Sequence, residues 1–440
     1  MFAKQLPPTY VIAGLFFFFS CSTSKPIQKM ENKPVVIPVA MPTDTGKTDQ
    51  FLEGLLKQYP QYFDSILQNR REWNVQIIYT QVNRGKNGVA ELQNHYFNID
   101  ASRYFYPAST VKLPVTLLAL QRLNELKQKG IDKNTTMITE SAFSGQTTVY
   151  NEPTAVDGKP NIAHYIKKIL MVSDNDAFNR LYEFLGQEYI NGELHRKSYG
   201  DAQILHRLNI FLSEEENRQT NPVRFLDSAN NILFEQKAQR NKAQFSLRND
   251  FLGKGYYKGG QLINEPMNFS KKNRISLPDL HNILISLVFP DKVAVNQRFN
   301  LTDEDKQFVL KYMSQLPTES TYPPYAGDTV NYWPAYGKFL LLGQKGKLPE
   351  NLRIFNKIGD AYGQMLDIAY IIDFKNKVEF FLSATIYCNR DGILNDDKYD
   401  YDSIGLPFMK HLGQAIYDYE LKRERKVKPD LSPFIFKYDK

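Results

Sequence analysis

The stretch Tyr106-Pro107-Ala108-Ser109-Thr110-Val111-Lys112-Leu113-Pro114 opens a strongly apolar run whose spacing predicts a helix from Thr110 to Leu126. Ser109 stands at the start of that helix. Lys112, three residues on, shares its face and lies within reach of the hydroxyl. A helix N-terminus favours developing negative charge, as on a serine alkoxide. A neutral lysine beside it can take the hydroxyl proton. Alone, Ser109 reads as a helix cap, since a chain of this length should hold roughly one or two S-x-x-K matches by chance. Ser22-Thr23-Ser24-Lys25 is a second match.

Outward from this helix, Phe51 to Arg71 carries helical spacing and Val75 to Val82 reads as a strand. Ala90 to Ile99 is its plausible partner across the loop holding Gly85 and Gly88. Ile162 to Leu185 predicts one or two helices, and Leu277 to Val288 another. Leu366 to Phe374 and Val378 to Tyr387 are β-rich runs joined by Lys375-Asn376-Lys377, which predicts a hairpin. Leu406 to Leu421 is a final helix with Lys422, Arg423 and Arg425 at its end. This order gives an α+β fold, with terminal strands in one antiparallel sheet and the middle of the chain as a helical lobe. Leu212 to Arg274 is polar and has no assignable elements; it reads as an elaborated surface segment.

Two further motifs follow. Ser173-Asp174-Asn175 occurs once, after the apolar Ile169 to Val172. Its hydroxyl can relay a proton, and its amide can hold a lysine or a substrate carbonyl. The plainer reading is a helix N-cap. Lys357-Ile358-Gly359 precedes the terminal strand pair. A lysine on an edge strand lowers a neighbouring lysine's proton affinity and attracts anions. Glycine lets a ligand approach the strand. The pattern itself is common, since Lys86-Asn87-Gly88 and Lys258-Gly259-Gly260 also fit it.

Together, in this order, the three motifs match the signature of class A β-lactamases and penicillin-binding proteins. The chain resembles the penicillin-interacting serine hydrolases from roughly Phe51 to Leu421, most closely the class A β-lactamases. The Tyr106–Pro114 stretch resembles that family's nucleophile helix, and Leu277 to Val288 the helix before its last strands. The resemblance implies a β-lactamase/transpeptidase-like fold, an antiparallel sheet flanked by helices beside an all-helical lobe. It implies that Ser109 forms an acyl-enzyme and Lys112 is the general base. Ser173 would relay a proton to the leaving nitrogen, Asn175 would position Lys112 and substrate, and Lys357 would supply positive potential. Gly359 and Asp360 would line the substrate site, with the oxyanion between the N–H groups of Ser109 and Asp360. The implied substrate is a small β-lactam or a peptidoglycan peptide. No metal or organic cofactor is called for, and the six His show no H-E-x-x-H spacing.

Two departures bear on the substrate. Class A enzymes carry a deacylating glutamate after an Arg-Leu pair. Here His206-Arg207-Leu208 resembles that lead-in, but Leu212 falls at the glutamate's place. Glu214, in the run Glu214-Glu215-Glu216, is the candidate replacement; the plainer reading of that run is a solvated charge cluster. Ile358 replaces the usual hydroxyl residue, and Asp360 adds an acid beside the oxyanion site. Both disfavour a penicillin carboxylate. The expected activity is β-lactam hydrolysis. The alternatives are a D-Ala-D-Ala peptidase, an esterase or amidase on envelope material, or a non-catalytic envelope-binding homologue.

Composition bounds the rest. The chain has 440 residues, a net charge of +7, 13% aromatics and two cysteines. That length supports a sizeable core without staples, and two cysteines cannot form a disulfide framework. The mild charge has no long Lys/Arg block, so nucleic acid is not an expected partner. Lys4, the apolar run Tyr10 to Phe19 and small residues at Ser20, Cys21 and Ser22 predict a signal peptide over 1–20. Phe18-Phe19-Ser20-Cys21 resembles a bacterial lipobox. That resemblance implies lipidation of Cys21, membrane anchoring, and a location in the periplasm or at the cell surface. Residues 21–48 carry four prolines and read as the anchored tether. The catalytic domain is expected over 49–440, with a sheet lobe near 49–105 and 345–440 and a helical lobe near 106–344. Cys388 is left as a lone thiol, expected to be buried and inert.

Overall fold

A computed structural model describes residues 46–126, 130–143 and 145–439. The expected signal peptide, Cys21 and most of the tether lie outside these residues. The folded part starts slightly earlier than the expected boundary. Lys47 N–H donates to Ile99 O at 2.8 Å, and Ile99 N–H returns to Lys47 O at 3.0 Å.

The five long strands are β1 (Gln76–Arg84), β2 (Ala90–Phe97), β3 (Leu352–Ala361), β4 (Gln364–Asp373) and β5 (Val378–Tyr387). They form one sheet in the order β3-β4-β5-β1-β2, every pair antiparallel. The helices are α1 (Gln50–Leu56), α2 (Pro60–Gln68), α3 (Lys112–Leu126), α4 (Ile162–Val172), α5 (Asn175–Arg196), α6 (Glu214–Arg218), α7 (Leu277–Val288), α8 (Asp303–Ser314) and α9 (Leu406–Lys422).

Alternation with a period of two divides the strands between two cores. Ile77, Tyr79, Ile371, Phe380 and Leu382 join Leu52, Phe63, Leu412 and Ile416 in a core with α1, α2 and α9. Ile78, Ile368, Tyr370 and Phe381 point the other way, into a core with Leu113, Leu117 and Leu284 from α3 and α7. The sheet is thus covered on both faces, and β4 is buried along its whole length. That double burial explains why β4 and β5 read as continuous apolar runs.

The expected helix over Phe51 to Arg71 is two helices. Pro60 begins the second, and a residue before proline is steered away from helical angles; Tyr59 sits at φ −123° and ψ 61°. Asp49 caps α1 by accepting from Leu52 N–H at 2.7 Å. Pro114 lies in the first turn of α3, where a missing N–H costs nothing.

The polar middle segment is not featureless. Val223–Leu226 pairs between Thr136–Thr139 and Ile232–Gln236. Gly255–Lys258 pairs with Gln261–Ile263 and Ile393–Leu394. Strands this short carry too few residues for alternation to be read. Cys388, just beyond β5, is buried, and Gly405 backs onto it so closely that a Cβ there would stand 2.8 Å from the sulfur.

Candidate active site

Ser109 sits on a 3-10 turn, Ala108–Val111, that leads directly into α3. Ala108 adopts φ +46°, an unusual angle for a residue with a side chain. Thr110 locks the turn: its N–H and its hydroxyl both donate to Pro107 O, at 3.0 and 2.6 Å. The turn lies against β3 at Gly359. A Cβ on Gly359 would fall 2.9 Å from Pro107 O and 3.0 Å from Ser109 N. Glycine is needed there for close backbone approach.

Ser173 lies between α4 and α5 in the left-handed region, at φ 61° and ψ 35°. Within the Ser173-Asp174-Asn175 motif the helix N-cap is Asp174, which accepts from Ala177 N–H at 2.8 Å. Ser173 is freed to face inward. Non-glycine residues pay for that conformation, and such strain concentrates at functional sites.

The side chains converge on Lys112, which is fully buried. Its Nζ stands 2.9 Å from Ser109 Oγ, 3.2 Å from Ser173 Oγ and 2.7 Å from Asn175 Oδ1. It also donates to Ser173 O. Lys357 Nζ donates to Ile358 O at 2.9 Å and stands 2.8 Å from Ser173 Oγ. Burial, reinforced by the neighbouring Lys357, holds Lys112 well below the ordinary lysine range. Burial pushes Lys357 down to about 7. Asp360 is open to solvent at the end of this arrangement, yet enough protein crowds it to raise its carboxyl, with Lys357 and Lys112 pulling the other way. The Ile358 side chain is buried in the apolar core on the α9 side of the sheet and offers no hydrogen bond.

The structure therefore brings Ser109, Lys112, Ser173, Asn175 and Lys357 together, with Gly359 against the nucleophile turn. Glu214 is placed elsewhere. It sits at the start of α6 and pairs with Lys271 at 2.6 Å and Arg218 at 3.3 Å. Its neighbours are also engaged: Glu215 pairs with Arg240, and Glu216 caps its own helix through Ser213. Among the described residues none of the three bonds to the Ser109 cluster.

The loop that carries Glu214 is pinned from below. Arg207 Nε donates to Glu183 Oε1 at 3.0 Å, and Arg180 pairs with the same carboxylate at 3.1 Å. Leu208 N–H donates to Asn179 Oδ1 at 2.8 Å.

A polar network behind Lys357 escaped the sequence reading. Lys338 Nζ donates to Asn356 Oδ1 at 2.6 Å, and Asn356 Nδ2 donates to Asp367 Oδ1 at 2.8 Å. Leu340 N–H donates to Asp367 Oδ2 at 3.0 Å. All three side chains are buried. The signal was an acid, Asp367, inside the otherwise apolar run Met365 to Ile372.

A family model described as the beta-lactamase enzyme family matches residues 61–419. No curated protein matches the chain. Among solved structures, a beta lactamase from Xanthomonas campestris pv. campestris is 13% identical, with a TM-score of 0.44 over 84% of this chain and 97% of its own. A class A beta-lactamase from Clostridium kluyveri is 15% identical, with a TM-score of 0.44 over 82% and 98%. A beta-lactamase from Desulfarculus baarsii is 11% identical, with a TM-score of 0.45 over 83% and 98%. With the antiparallel sheet between helices and the family match across most of its length, the chain has the β-lactamase/transpeptidase-like fold and belongs to the beta-lactamase enzyme family.

Proposed function

We propose that the protein is a serine hydrolase acylated on Ser109 by small cyclic amides of the β-lactam class. The observation that carries this reading is the environment of Lys112 Nζ. A neutral amine has two N–H groups and one lone pair. Ser173 O and Asn175 Oδ1 can only accept, so they take the two N–H groups. The lone pair is left for the Ser109 hydroxyl, 2.9 Å away. Burial and the neighbouring Lys357 both disfavour the charged ammonium, the direction a general base requires.

Ser109 Oγ attacks the carbonyl carbon and its proton passes to Lys112. The oxyanion is held by the N–H groups of Ser109 and Asp360; one such donor is worth about a hundredfold or more in rate. Ser173, standing between both lysines, passes a proton to the leaving nitrogen as the C–N bond breaks. Lys357 supplies positive potential. Water then cleaves the acyl ester. Glu214 serves as base for that water only if it leaves Lys271 and Arg218.

A second reading keeps the nucleophile and changes the substrate to a D-Ala-D-Ala peptide or another envelope ester or amide. Two observations favour it: Leu212 stands at the place of the deacylating glutamate while Glu214 is tied to Lys271 and Arg218, and Ile358 replaces the usual hydroxyl residue. The lipobox-like stretch ending at Cys21 supports export and a lipid anchor, which would place either activity in the cell envelope.

Protein lacking residues 1–21 is incubated with penicillin and with a fluorogenic ester, and intact mass and turnover are recorded. Rapid penicillin loss is the expected result. A long-lived adduct that disappears in Ser109→Ala favours the second reading. No adduct and no turnover with any acyl donor overturns both.

A further inference from the structure

The hydrogen bonds among Lys338, Asn356 and Asp367 fix the charge that each carries. Asn356 is settled first. Its Nδ2 donates to Gly337 O at 2.9 Å, which can only accept, so its Oδ1 is the atom turned to Lys338 at 2.6 Å. Lys338 Nζ then faces three acceptors: Asn356 Oδ1, Ile354 O on β3 at 3.0 Å and Met313 O near the end of α8 at 2.9 Å. A neutral amine has two N–H groups and an ammonium has three. Three acceptors take three protons, so Lys338 is an ammonium although it is buried. A carbonyl at a helix C-terminus also favours a cation.

Asp367 is the matching anion. Its two oxygens receive Asn356 Nδ2 at 2.8 Å and Leu340 N–H at 3.0 Å. Among the described residues neither oxygen is bonded to an acceptor that a carboxyl proton could serve. Buried charges need such compensation. Asp367 reaches Lys338 through Asn356.

This set lies directly behind the active site. Lys357 follows Asn356 on β3, so the two side chains leave opposite faces of the strand. Asp367 pairs with Ile358 across β3 and β4. Tyr336 and Gly337, at the start of the pinned loop, line a small crevice with Ser173 and Lys357. Around Lys357, Asp360 and Asp367 favour the charged form and Lys338 opposes it. Lys112 on α3 and Asp174 at the start of α5 lie on the Ser109 side. Glu319 and Arg353, which pair at 2.9 Å, flank Lys338.

We infer that Lys338 and Asp367 form an ion pair bridged by Asn356, and that this pair sets the charge of Lys357 from behind β3. Both are positioning residues that act through Lys357. Each ion is held by its own hydrogen bonds, so removing one leaves the other charged beside Lys357.

The effect on acylation rests on the reaction proposed for Ser109, so Lys357 is read directly. The full chain, labelled with ε-carbon-13 lysine and free of acyl donors, is titrated by NMR in detergent. Lys357→Met and Lys338→Met assign the two signals. Wild-type Lys338 should show the ammonium shift at neutral pH. Lys338→Met should raise the Lys357 midpoint by about half a unit or more, and Asp367→Asn should lower it by about as much. The double variant, which buries neither ion alone, should return the midpoint toward wild type. Damaged packing alone would not move the midpoint in opposite senses. An amine signal for wild-type Lys338 at neutral pH overturns the inference, as do shifts of one sense or no shift. The falling limb of the acylation pH profile should follow these midpoints; a limb that stays in place overturns the role in acylation. Wild-type protein that fails to acylate counts against the reading of Ser109 and leaves the NMR result standing.

Discussion

Lys357 Nζ stands 2.8 Å from Ser173 Oγ, although 184 positions separate them in the chain. With Lys112 Nζ at 3.2 Å from the same oxygen, Ser173 bridges two lysines on different elements. Its left-handed backbone and its hydroxyl are separable. Ser173→Gly keeps the conformation at no steric cost, whereas Ser173→Ala forces a Cβ into it. Both variants should lose acylation by amides to a similar degree. The Gly variant should be the more stable by about 1 kcal/mol, read by denaturant unfolding. Retained acylation in Ser173→Gly would show that the hydroxyl is not needed.

The two lysines also set a pH dependence. A lysine is charged below its pKa and neutral above it. Burial and the neighbouring Lys357 shift Lys112 toward the neutral form that a base needs. Lys357, at about 7, loses its charge as pH rises through that value. Acylation should therefore decline above about pH 7, and Lys357→Met should flatten that decline while lowering the maximum. Linkage gives a matching stability effect. Between about 7 and the ordinary value of 10.5 the unfolded chain holds a proton on Lys357 that the folded protein lacks. Raising pH in that window thus favours the fold. From pH 7 to 9, wild-type Tm should gain on that of Lys357→Met.

Gly359 should tolerate little. Gly359→Ala puts a methyl group against Pro107 O and Ser109 N, atoms that cannot swing aside as a side-chain tip can. The nucleophile would be displaced rather than removed. A misplacement near 1 Å costs about a hundredfold in rate. The acylation rate should fall accordingly, with folding intact by circular dichroism.

Two glutamates should behave oppositely. Glu183 is buried between Arg180 and Arg207, so Glu183→Ala leaves the buried Arg207 guanidinium without an acid partner among the described residues, while Arg180 keeps Asp176. Its cost should be about 3–5 kcal/mol in unfolding free energy. Glu214 is exposed and tied to Lys271 and Arg218. Glu214→Gln should leave the deacylation rate unchanged. Accumulation of acyl-enzyme in that variant would return Glu214 to the mechanism.

Much of this was legible because apolar patterning and chemistry coincide near Ser109. The α3 run, the α7 boundaries and the β4–β5 hairpin follow from burial that is continuous in sequence, and the five converging polar residues lie in three short motifs. What escaped depended on tertiary pairing. Lys338, from a loop, meets Asn356 and Asp367 from β3 and β4, and the three share no motif. The strands between Val223 and Asn268 run two to five residues, too short for a period to register. The position of Glu214 was set by Lys271 and Arg218, partners that spacing alone does not single out. The α1–α2 break, by contrast, was written in Pro60 and could have been read.

The buried thiol of Cys388 has a practical use. Burial raises its pKa above the ordinary thiol value and shields it from reagents. Cys21 is the other cysteine of the chain. In protein lacking residues 1–21, a cysteine introduced at Leu247 would be the sole reactive handle. A fluorophore or spin label attached there would report on the surroundings of that exposed position.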